Sequence, residues 1–327
     1  MSQKVRIGIV APSSVVPAVE LELGVQRLRG VGFEVSTHPH CDLTHLFFAG
    51  RDEERANAFF EYSTDKRFSV LWCARGGYGA ARILPILDEL TLRCGIPEKK
   101  LLVGYSDSTV LMEYVRRRWN WSTLHAPMPG GKQFSLMGRD EWRVLESWIR
   151  GSKPKNPWSE RLYLQFCKSP PKEAIEGVLV GGNLSVLASL VGTPFAVATM
   201  RKILFIEDVD EPLYRIDRMA SQLADSGSMR GLRALVLGNF LNCKDIVSVA
   251  QDKPLRRKLD ERKIIPQIFG RLADRYGIPL LYHLPVGHGP GQYPLPLGAT
   301  YRISVKGEIE LLEWDWLRKQ RSGGQRR

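Results

Sequence analysis

A serine stands at the point where a predicted strand turns into a predicted helix. Apolar residues 101–103 predict the strand, Gly-Tyr-Ser-Asp occupies 104–107, and a largely apolar stretch follows. A hydroxyl at the apex of such a turn is accessible, and free N–H groups at the start of the helix can hold an oxyanion. Ser106 is therefore a candidate nucleophile, and the charge of Asp107 suits the first helical turn. An ordinary loop in which Ser106 caps the helix is the alternative.

A carboxylate and a histidine that could assist this serine occur later in the chain. The predicted strand 203–206 ends in Glu207 and Asp208, and the carboxyl ends of buried strands carry functional groups in open α/β sheets. His288 lies in a glycine- and proline-rich loop that no core-packing pattern explains. Catalytic triads occur in several chain orders. Here His288 would accept the proton of Ser106, and Glu207 would fix the imidazole tautomer.

Five ordered motifs resemble those of the serine LD-carboxypeptidases, which trim murein tetrapeptides and whose relatives include the microcin C immunity peptidases. The motifs are Arg-Gly-Gly-Tyr-Gly at 75–79, Gly-Tyr-Ser-Asp at 104–107, Gly-Gly-Asn-Leu at 181–184, the run at 207–219, and Gly-His-Gly at 287–289. The turn carries Ser108 where the α/β-hydrolase pattern has a second glycine. This departure counts against a lipase or esterase.

The resemblance implies that Ser106, Glu207 and His288 form a triad and that the backbone N–H groups of Gly77 and Asp107 form the oxyanion hole. It implies a serine carboxypeptidase that hydrolyses the L,D-amide bond to the terminal D-amino acid of murein tetrapeptides, in peptidoglycan recycling. Acyl transfer through a covalent serine intermediate would be the mechanism. The resemblance also implies a homodimer.

Two other functions stay open. A peptidase of the immunity type would cleave aminoacyl-nucleotide toxins, and Trp158 and Tyr163 are the aromatic residues that could stack on a base. A catalytically inactive protein that binds cell-wall peptides is the other possibility. An intact Ser106, Glu207 and His288 argue against it.

Four further residues are candidates for substrate contacts. A carboxypeptidase must bind a free α-carboxylate, and Arg75 and Arg215 have the charge for it. Tyr78 lies within the glycine-rich motif beside the expected oxyanion donor. Asn183 precedes a predicted helix and could contact substrate or simply cap that helix.

The first 150 residues alternate strand and helix patterns. Strands are predicted at 5–10, 33–35, 69–73 and 101–104, with helices at 19–29, at 51–62 and after residue 79. Such alternation is typical of a parallel sheet covered by helices. We therefore expect a Rossmann- or flavodoxin-like α/β domain over 1–150 that carries the nucleophile.

A polar, proline-rich connector at 151–172 separates this domain from a less regular one at 173–317. The second domain shows predicted strands at 177–180, 203–206, 234–238 and 301–305 and helices at 213–223 and 266–276. We expect a mixed, barrel-like α/β domain, and a basic flexible tail at 318–327. The resemblance implies an active site in the interdomain cleft.

The composition excludes several classes of protein. The chain has 327 residues, of which 43% are hydrophobic and 25% charged, as is usual for soluble proteins. Five basic residues of the +12 net charge lie in the tail, and no nucleic-acid motif accompanies the rest. A positive surface would instead favour encounter with an anionic muropeptide substrate. No apolar run is long enough for a membrane span or a secretory signal.

The cysteines and histidines indicate neither disulfides nor a metal. Five cysteines, an odd number without any Cys-x-x-Cys pair, are typical of reduced thiols in a cytoplasmic protein; they are Cys41, Cys73, Cys94, Cys167 and Cys243. His38, His40 and His45 lie near Cys41 and Asp42, but their spacing matches no familiar zinc pattern. We interpret this cluster as a polar loop and expect no cofactor.

Overall fold

The computed structural model describes residues 5–158, 163–165, 171–248, 256–258 and 260–317, of which 163–165, 246–248 and 256–258 are described by their backbone alone. The chain divides into two compact units. The first comprises the described residues up to Pro157 together with Pro290–Ala299 and residues 313–317. The second comprises Trp158–Gly289 and Thr300–Leu312.

The described residues form the following regular elements. The strands are β1 (Arg6–Val10), β2 (Glu34–Thr37), β3 (Val70–Cys73), β4 (Leu101–Gly104), β5 (Ser122–His125), β6 (Tyr163–Gln165), β7 (Ile175–Asn183), β8 (Ile203–Val209), β9 (Ala234–Leu241), β10 (Ile246–Ser248), β11 (Arg256–Lys258), β12 (Leu280–Tyr282), β13 (Leu295–Leu297), β14 (Thr300–Ile303) and β15 (Ile309–Glu313). The α-helices are α1 (Ala18–Gly30), α2 (Asp52–Thr64), α3 (Leu84–Cys94), α4 (Thr109–Arg118), α5 (Lys132–Ser135), α6 (Arg139–Ile149), α7 (Leu184–Ser189), α8 (Leu213–Asp225) and α9 (Glu261–Tyr276). Short 3-10 helices occupy Pro39–Asp42, Ala80–Ile83 and Ser106–Ser108.

A six-stranded sheet organises the first unit, in the order β13-β5-β4-β3-β1-β2. β1 to β5 run parallel, and β13 is an antiparallel edge strand on β5. Residues Val70–Cys73 and Leu101–Gly104 are buried throughout, as expected for central parallel strands with both faces covered. The loops that follow β1, β3 and β4 therefore emerge at one edge of this sheet.

A seven-stranded sheet, curled into a half-barrel, organises the second unit, in the order β15-β14-β7-β8-β9-β12-β6. Its centre, β7-β8-β9-β12, is parallel, and β14 and β6 add antiparallel strands. The core on this sheet combines apolar residues of β8 and β9 with those of α8 and α9, such as Leu204, Leu235, Ile216 and Phe269. The α/β fold class expected from the sequence is confirmed, and both sheets are mixed, the first because β13 adds one antiparallel edge strand to five parallel ones.

Two local features differ from the sequence-based expectations. β13 was not predicted, because Pro294 and Pro296 favour a loop; prolines are tolerated here because β13 lies at the edge of its sheet. α9 begins at Glu261 and not at Pro266, since the side chain of Asp260 accepts a hydrogen bond from the N–H of Arg262 and starts the helix earlier.

The compact units also differ in extent from the domains expected at 1–150 and 173–317. Because β13 pairs with β5, residues 290–299 group with the first unit, which makes both units discontinuous in the chain. The domain boundaries expected from the sequence stay a prediction. The tail at 318–327 and Cys167 lie outside the described residues.

The described cysteines and helices bear on two further expectations. Cys41, Cys73, Cys94 and Cys243 are free thiols. Within the ranges that the structure describes, no helix combines the length and the apolar character needed to cross a bilayer.

Helix α1 offers a test of the packing in the first unit. Its buried face consists of Leu21, Gly24, Val25 and Leu28, at the spacing of an amphipathic helix. A Cβ on Gly24 would lie 2.3 Å from the carbonyl oxygen of Pro129, whereas a Cβ on Gly30 would meet nothing within 4 Å.

Gly24→Ala should therefore destabilise the protein by about 2 kcal/mol through overpacking, which lowers the melting temperature by about 4–8 °C. Gly30→Ala, in the same helix, is the matched control and should leave the melting temperature unchanged or raise it slightly. Thermal unfolding followed by circular dichroism checks both variants. Equal melting temperatures for the two would show that the contact between Gly24 and Pro129 does not constrain α1.

Candidate active site

Ser106 occupies a strained turn between β4 and α4. Its φ is 60°, in the left-handed region that non-glycine residues seldom adopt, and it opens the 3-10 helix that leads into α4. Such strain is typical of functional turns, including the serine turn of hydrolases. The alternative in which Ser106 caps the helix is wrong, because Tyr105 precedes the 3-10 helix and Ser108 precedes α4.

The glycine-rich loop after β3 packs directly against this serine. A Cβ on Gly76 would lie 3.1 Å from the Oγ of Ser106. Gly77 has a φ of +101°, and a Cβ there would lie 2.2 Å from the Oγ of Ser14. Both the conformation and the available space therefore require glycine at 77. The loop brings main-chain atoms to the hydroxyl where any side chain would block the approach.

Ser14 and Asp107 hold this loop through hydrogen bonds. The N–H of Tyr78 donates to the Oγ of Ser14 at 3.0 Å, and the N–H of Ser14 donates to the carbonyl of Gly76 at 3.3 Å. The carboxylate of Asp107 accepts a hydrogen bond from the N–H of Ala80 at 2.9 Å. The sequence indicated only the backbone N–H of Asp107 as functional, and Ser14 was not singled out. No local sequence pattern indicates these contacts of Ser14 and of the Asp107 side chain, because each contact joins loops that are distant in the chain.

Burial perturbs the carboxyl group of Asp107. The residue is only 4% exposed. Burial disfavours the charged form and raises the pKa of Asp107 above its ordinary value, although the nearby Ser13 hydroxyl, the hydrogen bond from the N–H of Ala80 and the charge of Arg55 act in the opposite direction. The buried carboxylate of Asp107 is therefore stabilised by groups from the glycine-rich loop and from helix α2.

In the second unit, Glu207 and His288 form a buried pair. Glu207 lies within β8 and is fully buried, and His288 is 6% exposed. The Oε2 of Glu207 lies 2.7 Å from the Nδ1 of His288 and also accepts the backbone N–H of His288 at 3.1 Å. A carboxylate only accepts hydrogen bonds, so Nδ1 carries the proton and Nε2 is the basic nitrogen of the neutral ring.

Gly287 permits the close contact between these two residues. Its φ is +114°, and a Cβ there would lie 2.8 Å from the Oε2 of Glu207. Burial alone would lower the pKa of His288, but the charge of Glu207 and its hydrogen bond outweigh burial and raise that pKa above the ordinary value. The pair therefore stabilises an imidazolium once a proton has been taken up.

Asp208 and Asn183 lie beside this pair and bond to each other. The Nδ2 of Asn183 donates to Asp208 at 2.9 Å, and the Oδ1 of Asn183 accepts the N–H of Val186. The capping role expected for Asn183 is confirmed, whereas its contact with substrate stays a prediction. Burial, followed by the charge of Glu207, raises the pKa of Asp208 to about 6.

The other candidate substrate residues are placed as follows. Arg75 is exposed, and its Nη1 donates to the carbonyl of Val15 at 2.7 Å. Tyr78 is 53% exposed. Arg215 is exposed on α8 and lies 3.8 Å from the carboxylate of Glu211. Arg75 and Tyr78 thus flank Gly77 in the first unit, and Arg215 belongs to the second.

His38 and His40, in the histidine cluster near residue 40, make contacts that hold the local backbone. Both the N–H and the carbonyl of Ala11 lie 3.1 Å from the Nε2 of His40, and burial lowers the pKa of His40 to about 4. His38 caps the 3-10 helix Pro39–Asp42 by accepting the N–H of His40. Across the described part of the chain, no three histidine, cysteine or acidic side chains are grouped as metal ligands would be.

Family models match most of the chain. Residues 7–126 match the LD-carboxypeptidase N-terminal domain, and residues 176–303 match the LD-carboxypeptidase C-terminal domain. The murein tetrapeptide carboxypeptidase of Pseudomonas aeruginosa is 31% identical over 298 residues, which cover 90% of this chain and 92% of that protein.

Two further relatives support the match. The crystal structure of muramoyltetrapeptide carboxypeptidase from Oxalobacter formigenes has a TM-score of 0.72 and 28% identity, covering 94% of this chain and 98% of the other. The microcin C7 self-immunity protein MccF of Escherichia coli is 24% identical over 317 residues, 90% of this chain and 88% of that protein. With both domains matched in order and the fold shared along nearly the whole chain, this protein belongs to the LD-carboxypeptidase family.

Proposed function

We propose that this protein is a serine carboxypeptidase that removes the terminal D-amino acid of murein tetrapeptides by hydrolysing the L,D-amide bond, as a step of peptidoglycan recycling. The observation that carries the proposal is the buried pair of Glu207 and His288, whose 2.7 Å contact leaves Nε2 as the base. The strained turn of Ser106 supplies the matching nucleophile. Membership of the carboxypeptidase family supports the same reaction.

The reaction would proceed by acyl transfer. His288 takes the proton of Ser106 while Oγ attacks the scissile carbonyl carbon, and Glu207 stabilises the resulting imidazolium. The imidazolium then returns its proton to the nitrogen of the leaving D-amino acid. Water attacks the acyl-enzyme with His288 again as base, the imidazolium returns that proton to the leaving Oγ of Ser106, and the peptide departs with a new carboxylate. Every proton transferred in these reaction steps passes through the Nε2 of His288.

The oxyanion of each tetrahedral intermediate would be held by the backbone N–H groups of Gly77 and Asp107. Main-chain donors fixed in advance stabilise developing charge without reorganisation, and loss of one such donor costs about 10²–10³ in kcat. The packing of Gly76 on the Oγ of Ser106 supports this assignment, because it brings the loop to within contact distance of the nucleophile.

Arg75 is the residue we propose for the terminal carboxylate of the substrate. It is exposed, it begins the glycine-rich loop, and one of its nitrogens is anchored on Val15, which leaves the other nitrogens of a guanidinium for a carboxylate. Arg215 is the weaker candidate, since its charge faces Glu211.

The aminoacyl-nucleotide alternative has less support. Trp158 is 1% exposed and packs against Tyr301 at 5.9 Å between ring centroids. A ring buried in this way offers no face to a base. The side chain of Tyr163 lies outside the described residues. An inactive binding protein would not need the charged contact of Glu207 with His288.

We further propose that the enzyme works in the cytoplasm and as a homodimer. The free thiols of the four described cysteines support a reducing compartment. The dimer rests on family resemblance.

Replacing the proposed nucleophile tests the mechanism. Ser106→Ala should lower kcat for release of D-alanine from murein tetrapeptide by about 10⁴–10⁶, because no other group attacks the carbonyl. Mass spectrometry of the released amino acid measures the rate. Ser147→Ala, which removes a hydroxyl bonded to the carbonyl of Arg143 on α6, is the control and should retain the wild-type rate. Activity of Ser106→Ala within tenfold of wild type would refute the serine mechanism.

The proton relay predicts a pH effect. A base must be neutral, so kcat/KM should rise with pH through the raised pKa of His288, with its midpoint above 6.5. Glu207→Gln removes the opposing charge and leaves burial, so the pKa of His288 and the midpoint should both fall, while kcat drops by up to about 10⁴.

Titration of the His288 ring by NMR, alongside the activity profile, measures both effects. Asp225→Asn removes an exposed carboxylate that pairs with Arg275, and it should shift neither quantity. An unchanged pKa of His288 in Glu207→Gln would contradict the electrostatic role of Glu207.

The proposed chemistry uses only side chains and backbone N–H groups, so chelation provides another test. Dialysis against EDTA should leave the rate of D-alanine release unchanged, as should added zinc, because the relay requires no Lewis acid. A loss of activity on chelation that zinc restores would show that the histidines near residue 40 had been misinterpreted.

A further inference from the structure

Arg55 is a buried positive charge that the proposed reaction does not use. It lies on α2 and is 0% exposed. Burial lowers the pKa of its guanidinium below the ordinary value, and the charge of Asp52 opposes that shift. A charge removed from water is costly unless it is paired and hydrogen-bonded. The hydrogen bonds and the ion pair of the guanidinium therefore offset the free-energy cost of burying its charge.

The guanidinium of Arg55 joins two loops at the edge of the first sheet. Its Nη1 donates to the carbonyl of Pro12, in the loop after β1, and to the carbonyl of Gly79 at 3.0 Å, in the glycine-rich loop after β3. Its Nη2 donates to Asp52 one turn earlier in α2. One side chain thus ties a helix to both loops.

An aromatic ring and a second arginine complete the surroundings of this charge. The Cζ of Arg55 lies 4.7 Å from the ring centroid of Phe48, within the range of a cation–π contact. Asp52 also pairs with Arg82 at 2.7 Å, so its carboxylate is fixed from two sides. The planar group of Arg55 is therefore held in a single orientation.

The glycine-rich loop is held at three successive points. Ser14 accepts the N–H of Tyr78, Arg55 donates to the carbonyl of Gly79, and Asp107 accepts the N–H of Ala80. Asp107 is the neighbour of Ser106, so the last of these contacts fixes the loop to the turn of the nucleophile. Gly77 lies immediately before the three held residues.

We propose that Arg55 is a positioning residue for the oxyanion hole: by holding the carbonyls of Pro12 and Gly79 together, it fixes the N–H of Gly77 relative to Ser106. This inference rests on the proposed function, since it assigns Arg55 to the same oxyanion donor. Arg55 itself touches no reacting atom. Its removal lets the glycine-rich loop move at 77–80, while the nucleophile, the base and Arg75, which is anchored separately on the carbonyl of Val15, stay in place.

A displaced oxyanion donor has a particular kinetic signature. The oxyanion exists only in the transition state and intermediates, so misplacement lowers kcat and leaves KM nearly unchanged. A shift of about 1 Å costs about a hundredfold. A peptidyl boronic acid, which forms a tetrahedral adduct on the nucleophile, should lose affinity in proportion to kcat. Partial unfolding would reduce the number of active sites instead, without changing the rate at each site.

The test uses two variants. Arg55→Lys keeps the positive charge but loses the planar, two-pronged guanidinium, and Arg55→Gln keeps an N–H donor but loses the charge. With murein tetrapeptide as substrate, kcat for each titrated active site should fall about 30–100-fold, with KM within about twofold of wild type. The inhibition constant of the boronic acid should rise by the same factor as kcat falls.

Phe59→Leu is the matched control, because Phe59 is buried one turn further along α2, stacks on Trp119, and lies outside the contacts of the loop. This variant should lose stability but keep kcat for each active site.

Hydrogen–deuterium exchange separates this inference from the proposed function. Exchange of the amides at 77–80 should accelerate at least about tenfold in both Arg55 variants and remain at the wild-type rate in Phe59→Leu. Unchanged exchange at 77–80 would overturn the positioning role, whatever the protein hydrolyses. A per-site kcat within threefold of wild type in both variants, while Ser106→Ala is inactive, would also overturn it and leave the serine mechanism intact.

Discussion

Buried carboxylates organise the candidate catalytic residues within each of the two units. A carboxylate withdrawn from water must be satisfied by donors, and those donors are then fixed in space. Asp107, 4% exposed, takes the N–H of Ala80, and the fully buried Glu207 takes both Nδ1 and the N–H of His288. In each case the donor belongs to a loop that would otherwise have few constraints. Charge burial thus converts glycine-rich loops into rigid ones.

Glycine residues make the close packing of these loops possible, because the backbone of each loop approaches a neighbouring side chain where a Cβ atom would collide. A methyl group at Gly77 would collide with Ser14, and one at Gly287 would collide with Glu207. Ser106 adopts a positive φ although it is not glycine, and such backbone strain persists only where the surrounding structure enforces it, as it commonly does at functional sites. The strained backbone and the buried charges therefore occur together, as they do where a site is fixed before the substrate arrives.

The sequence predicted the parts of this arrangement that depend on local pattern. Buried strands such as Leu101–Gly104 are recognisable from apolar runs, and functional residues at their carboxyl ends follow from the geometry of parallel sheets. Glu207 and His288 were paired only through the order of the motifs, since 81 residues separate them. β13 escaped prediction because its prolines favour a loop, and pairing with β5 is a long-range event.

Arg55 and Ser14 show the limit of sequence-based reasoning. An arginine within an amphipathic helix is normally solvated, so nothing in residues 52–64 indicates that its guanidinium is buried. Besides Asp52, its acceptors are two backbone carbonyls 43 and 24 residues away in the chain, and backbone carbonyls carry no sequence signature. Positioning residues of this kind become visible only when the loops that they join have been placed.

The same burial that fixes the site lowers the stability of the fold. Asp208, beside Glu207, has its pKa raised from 3.8 to about 6, so the folded state holds a proton that the unfolded chain has already released. Its contribution to stability is fully present below about pH 4 and is lost as the pH rises through about 6. At neutral pH the second unit therefore retains an ionised carboxylate against its own stability. Asn183, Ser185 and Val209 supply the donors that keep the cost from being larger. The charge of Asp208 also acts to raise the pKa of His288, so this buried acid forms part of the electrostatic environment of the histidine.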